Sequence, residues 1–172
     1  EAIFRIANTE TGDVRTVFEE VVPTQYESGQ GAINWRYFPA TDEAIWYSER
    51  DDWGHLYLYD LKTGKPKSQI TKGNFVVTRM LKADDKARVI FFEANGREAG
   101  RDPYFSHLYR VNFDGTGLTL LTPDDGNHQV TFTPDGKSVV YAMEGSLWLQ
   151  PLDSGVATEL THASGAYDHQ PD

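Results

Sequence analysis

The sequence predicts an all-β fold built from repeated four-stranded antiparallel units. Three observations carry that prediction. A short pattern returns three times: Gly54-His55-Leu56-Tyr57, Ser106-His107-Leu108-Tyr109 and Gly145-Ser146-Leu147-Trp148. Each copy runs through a turn (Lys62-Thr63-Gly64, Asp114-Gly115 or Asp153-Ser154-Gly155) to Ile70-Thr71, Leu121-Thr122 or Leu160-Thr161. The apolar residues recur near period two rather than 3.6, so the pattern is that of strands. Aromatics make up 13% of the chain and sit among Val, Ile and Thr, the residues that favour pleated sheets. The interval is 52 residues from Gly54 to Ser106 and 39 from Ser106 to Gly145, the difference being mostly the polar Asn95–His107 insertion. Four-stranded repeats of about 40–50 residues are the signature of β-propeller blades.

Each element follows in order. Residues 1–22 read as a leading half blade, two strands around the turn Asn8-Thr9-Glu10-Thr11-Gly12. Residues 21–31 carry Pro and Gly and read as a loop. The first complete blade covers 32–73. It opens with the alternating Ile33 to Phe38, turns at Thr41-Asp42, and continues through Glu43 to Ser48 and His55 to Leu61. The second covers 75–125, with Phe75 to Met80, a turn at Ala83-Asp84-Asp85-Lys86, and Arg88 to Ala94, an apolar run expected of a strand buried on both faces. The third covers 128–164. Its turn, Thr133-Pro134-Asp135-Gly136-Lys137, combines a Pro that presets φ with a Gly that takes a positive one. Ser138 to Ala142, Ser146 to Pro151 and Ala157 to Thr161 complete it. Residues 165–172 read as the first strand of a further unit. The whole is expected to be a single propeller unit.

This gives about three and a half to four blades, and closed propellers have about 4–8. Open ends expose faces and strand edges made for a neighbour. The expectation is therefore either a segment of a longer chain or copies that self-associate, as a homodimer or higher, to complete a ring. Two copies would supply about seven blades, within the closed range. Residue 1 is Glu, which fits a processed or excised segment.

Composition narrows the function classes. A net charge of −10 argues against a nucleic-acid partner, because phosphate binding needs an excess of Lys and Arg. The absence of Cys excludes disulfides, thiolate catalysis and Cys-bound metals. No apolar run approaches a membrane span, so no membrane partner is expected. The compartment stays unknown.

Trp35 to Ala40, Ile45 to Leu61 around Ser48-Glu49-Arg50-Asp51-Asp52-Trp53-Gly54-His55, Gln69 to Val77, and Asp102-Pro103-Tyr104 with His107 to Arg110 resemble the N-terminal β-propeller of bacterial dipeptidyl peptidase IV-type enzymes, serine peptidases of the prolyl oligopeptidase class. The resemblance covers residues 1–136. It implies a periplasmic or secreted natural parent, and a propeller that caps an α/β-hydrolase domain carrying a Ser-Asp-His triad. These residues hold no Gly-x-Ser-x-Gly elbow, so no catalytic residue is expected. The Ser28-Gly29-Gln30-Gly31 run lacks the second Gly in register. The family also holds the substrate's amino terminus with adjacent Glu residues. Glu19-Glu20 does not match that context and reads as a solvated strand terminus. From Lys137 to Asp172 the pattern resembles a TolB-type or WD40-like repeat, which suggests an engineered chimera joined at the Pro-Asp-Gly turn; a divergent natural blade is the alternative.

The remaining polar residues have structural readings. His55, His107, His128, His162 and His169 show no metal-like i, i+2 or i, i+4 spacing, and His55 and His107 share one repeat position, so they read as strand-bridging histidines, with no metal. Asp42, Asp51, Asp52, Asp84, Asp85, Asp124, Asp125 and Asp135 read as turn formers; no Asp-x-Asp-x-Asp-Gly calcium loop occurs. Trp35, Trp46, Trp53 and Trp148 read as packing between blades. No cofactor is expected. The candidate loop contacts are Arg50, Asp51, Asp52, Trp53, Arg101 and Tyr104, because loops on rigid scaffolds carry function. The expectation is a non-catalytic scaffold that self-associates; the alternative is a substrate-gating accessory domain of a dipeptidyl peptidase IV-like enzyme, inactive without its hydrolase domain.

Overall fold

A computed structural model describes residues 1–22 and 34–161. Their secondary structure is entirely β, in one two-stranded and three four-stranded antiparallel sheets. The first sheet pairs β1 (Ala2–Ala7) with β2 (Val14–Glu20). The second runs in order through β3 (Arg36–Phe38), β4 (Glu43–Ser48), β5 (His55–Asp60) and β6 (Lys65–Gln69). The third contains β7 (Val76–Asp84), β8 (Val89–Asn95), β9 (Ser106–Asn112) and β10 (Thr119–Leu120). The fourth contains β11 (Gln129–Phe132), β12 (Ser138–Met143), β13 (Ser146–Pro151) and β14 (Thr158–Glu159). Each four-stranded sheet is a meander whose strands neighbour in chain order. The expected trailing strand at 165–172, all but the first two residues of the loop expected at 21–31 with its Ser28 run, and His162 and His169 lie outside the described residues.

The central strands carry the alternation that stacks sheets. Along β8, Ile90, Phe92 and Ala94 point to the second sheet, while Val89 and Phe91 point to the fourth. Both faces are buried, as the apolar run predicts. Phe4 and Phe18 of the first sheet pack on Trp46, Tyr57 and Tyr59 of the second. Stacked and edge-on rings dominate that contact, with Phe18 and Tyr59 centred 4.0 Å apart.

A single hydrogen-bond clasp repeats in all three complete sheets. The Oγ1 atoms of Thr71, Thr122 and Thr161 each accept the backbone N–H of Leu56, Leu108 and Leu147, at 2.9 Å in every case. Beside each clasp, Ile70, Leu121 and Leu160 donate N–H to the carbonyl of the same Leu. The Leu-aromatic and Leu-Thr signals of the repeat are thus the two ends of one bond, tying the outer strand to the third.

Two glycines are fixed by close approach. A Cβ on Gly54 would strike the Tyr47 hydroxyl, and one on Gly64, where φ is +68°, would strike the Val17 carbonyl of the first sheet. The expected turn at Ala83-Asp84-Asp85-Lys86 is shifted. Strand β7 continues to Asp84, bending at two register irregularities, and Asp84 Oδ1 then accepts the Ala87 N–H at 2.9 Å to close the turn.

Candidate functional site

One buried carboxylate stands at each of the three sheet-to-sheet contacts. Glu20, at the end of β2, is only 8% exposed. It accepts from Trp46 Nε1 at 2.6 Å, from the Ser48 hydroxyl, and from the Arg50 guanidinium at 3.2 Å. The solvated reading of Glu19-Glu20 therefore holds for exposed Glu19 and fails for Glu20. The apolar contact of the first two sheets carries Glu20 inward, where three donors offset its desolvation. Glu43 on β4 reaches the third sheet, pairing with Arg88 and with Lys67, each at 2.6 Å. Burial works to raise its pKa, but hydrogen bonds from Arg88 and Lys67 outweigh it and hold the carboxyl down at about 2. Glu93 on β8 binds Arg79 through two bonds of 2.9 Å and accepts the Val130 N–H of the fourth sheet. A lone Glu inside the apolar run Arg88 to Ala94 was the available sequence signal, since a buried charge needs a partner.

The candidate loop contacts fall on two connections. Both join the second strand of a sheet to the third, so they leave from the same end of successive sheets. In the first, Arg50 turns inward. Besides Glu20 it donates to the Tyr59 hydroxyl at 2.7 Å and lies 4.2 Å over the Tyr57 ring. Asp51 accepts from Gln69 at 2.7 Å. Asp52 has φ +70°, the left-handed region that Asp tolerates at turns. Trp53 stays 40% exposed. In the second connection, Arg101 donates to the Pro123 and Asp124 carbonyls at 2.5 and 3.2 Å, fastening the insertion to the loop before β11. Tyr104 is 85% exposed. The structure thus gives Arg50 and Arg101 structural partners and leaves Trp53 and Tyr104 presented to solvent.

The other tryptophans divide. Trp46 packs between the first two sheets and Trp148 stacks on Tyr141, whereas Trp35 is 47% exposed at the edge of Phe4.

The histidines differ from one another. His55 is fully engaged: its Nδ1 faces Thr71 Oγ1 at 3.1 Å and its Nε2 faces the Gly73 carbonyl at 2.9 Å. His107 Nδ1 lies 3.2 Å from the Thr122 carbonyl, and His128 Nδ1 lies 3.3 Å from the Ser106 carbonyl. Their Nε2 atoms are buried without a hydrogen-bond partner among the described residues. His128 also lines a cavity of about 520 Å³ between the third and fourth sheets, with Arg79, Glu93, Ser106, Gln129 and Tyr141. Sequence spacing gave no sign of this grouping. Among the described residues no cluster of three or more His, Asp or Glu converges as a metal site.

Residues 1–146 match the family model described as the dipeptidyl peptidase IV (DPP IV) N-terminal region. The chain belongs to the dipeptidyl peptidase IV N-terminal region family. That match crosses Gly136, where a change of blade type was expected, so Lys137 to Ser146 are part of the dipeptidyl peptidase IV region as well. Dipeptidyl peptidase 4 of Arthroderma otae is 30% identical over 100 residues, 57% of this chain and 12% of that protein. The corresponding Trichophyton equinum protein is 28% identical over the same share. The chain therefore spans about an eighth of the length of these curated relatives. Among solved structures, dipeptidyl peptidase 4 of Porphyromonas gingivalis aligns with a TM-score of 0.75 and 17% identity, over 92% of this chain and 22% of that one. TolB of Acinetobacter baumannii aligns with a TM-score of 0.52 and 20% identity, over 93% and 37%. At these identities both show the fold, a β-propeller arrangement of four-stranded sheets.

Proposed function

We propose that these residues are an accessory propeller segment of a dipeptidyl peptidase IV-like serine peptidase, gating substrate access and inert without a hydrolase domain. The family match over residues 1–146 carries this reading. The geometry supports it: the buried carboxylates at the sheet contacts are held by internal donors, and the exposed aromatics Trp53 and Tyr104 sit at one end of the stack, available for contact. In this reading the blades run 32–73, 75–125 and 128–164 after a half blade at 1–22, as one propeller unit. Residues past 146 are then a divergent blade rather than a joined one. The test is hydrolysis of a dipeptidyl chromogenic substrate by the 172-residue chain. No turnover is expected, and turnover that survives repurification would overturn the reading.

A second reading is self-association of the isolated chain. One observation favours it. Among the described residues, the two-stranded first sheet leaves a β1 edge beside Ile3, Trp35 and Tyr37, which are 38%, 47% and 39% exposed, while Leu147 is 42% exposed on the fourth sheet at the other end. Light scattering across a concentration series tests it: a discrete dimer supports ring completion, and a concentration-independent monomer contradicts it.

A further inference from the structure

We propose that His107 and His128 form a two-histidine site for a divalent late transition-metal ion, of the class of Zn²⁺, Cu²⁺ or Ni²⁺. Each Nδ1 faces a backbone carbonyl, Thr122 for His107 and Ser106 for His128. A carbonyl only accepts, so each Nδ1 carries the hydrogen. In the neutral ring that leaves Nε2 with its lone pair. Both Nε2 atoms are buried and have no hydrogen-bond partner among the described residues, on residues only 3% and 1% exposed; the Gly126 backbone also lies close to the His128 ring. A His that donates Nδ1–H to a backbone carbonyl and offers Nε2 is the usual arrangement of a metal-binding imidazole, because the carbonyl fixes the tautomer and strengthens the ligand.

The spacing fits. The two ring centres are 5.2 Å apart, their planes inclined by 45°. Two imidazoles on one tetrahedral ion, at metal–nitrogen distances of about 2.0–2.1 Å, place their ring centres roughly 5 Å apart. Burial lowers the pKa of both rings, which favours the neutral form that binds metal. Asp124 and Asp125 bring negative charge toward the pair, whereas Arg101 opposes it. The cavity is lined by His128 and not by His107, so an ion reaches the pair from the His128 side. No third His, Asp or Glu closes on the pair among the described residues, so the two imidazoles are the protein ligands and the affinity is set by them. Hard ions such as Ca²⁺ and Mg²⁺ are excluded because they take oxygen ligands. His55, with both nitrogens engaged, is the internal contrast.

The experiment is calorimetric titration of the untagged chain with Zn²⁺ at pH 7.5, with Mg²⁺ as control. One ion per chain is expected, with affinity reduced at least roughly ten-fold by His107→Gln and by His128→Gln. His55→Gln, and His162→Gln combined with His169→Gln, should leave it unchanged. Binding that survives both of the first substitutions, or no Zn²⁺ binding at all, overturns the proposal. Should either variant fail to fold, long-range ¹H–¹⁵N spectra of the native histidines decide it. Zn²⁺ must shift the Nε2 resonances of two histidines while their Nδ1 atoms stay protonated; movement of none, or of His55, contradicts the site.

Discussion

At the scale of single residues, the interfacial carboxylates set how the protein responds to acid. Glu43 has its pKa held at about 2, below the ordinary 4.5. Its contribution is complete above 4.5 and is lost as pH falls from there toward 2. Removing one member of a buried pair strands the other charges. Arg88 and Lys67 are partly solvated, so Glu43→Gln should cost about 2–3 kcal/mol at pH 7. Urea melts at pH 7 and pH 3 check this: the gap between native and variant should shrink at pH 3, and an equal gap would contradict it. His107 and His128 act earlier. Their pKa values lie below the ordinary 6.5, mainly through burial, so the unfolded chain takes up protons first. Stability should fall as pH drops below 6.5, and His128→Gln should flatten that limb of the melting curve. Gly54 tests packing. Gly54→Ala forces a methyl against Tyr47, which is 3% exposed and held in the core, and should cost about 1–3 kcal/mol in a thermal or urea melt.

At the scale of the strand and its clasp, Thr-to-Val substitutions distinguish the three sheets. Thr122 is fully buried, and Thr122→Val leaves the Leu108 N–H without its acceptor inside the core, at a cost of about 1–3 kcal/mol. Leu147 and Thr161 are exposed, so Thr161→Val leaves an N–H that water can reach and should cost well under half as much. Equal losses in denaturant melts would contradict the burial difference. These elements were largely legible in the chain. Leu56, Leu108 and Leu147 with Thr71, Thr122 and Thr161 recur at matching positions, and a period of two places their side chains. The extension of β7 to Asp84 was not legible, because two bulges break that period and turn residues continue into the strand. Nor was the inward turn of Glu20. A Glu at a strand end looks solvated until a neighbouring sheet supplies Trp46, Ser48 and Arg50 from twenty-six to thirty residues away. The His107–His128 pairing was hidden for the same reason: the repeat explains His107, but only sheet stacking brings His128 beside it.

At the scale of the whole molecule, stacked sheets with a buried carboxylate at every contact describe a rigid frame. What varies is the set of connections at its end, above all Arg50 to Trp53 and the insertion holding Arg101 and Tyr104. Internal bonds hold the two arginines, and Trp53 and Tyr104 are exposed, which makes them the contact residues of the proposed gate. A gate built this way should discriminate substrates by size rather than by chemistry. The most direct measurement is therefore kcat/KM of a full-length peptidase containing these residues, on a dipeptidyl chromogenic substrate and on a long polypeptide, before and after Trp53→Ala with Tyr104→Ala. If Trp53 and Tyr104 gate access, turnover of the short substrate is unchanged while that of the long one shifts several-fold. Equal loss on both substrates, or no change on either, would contradict the gating role.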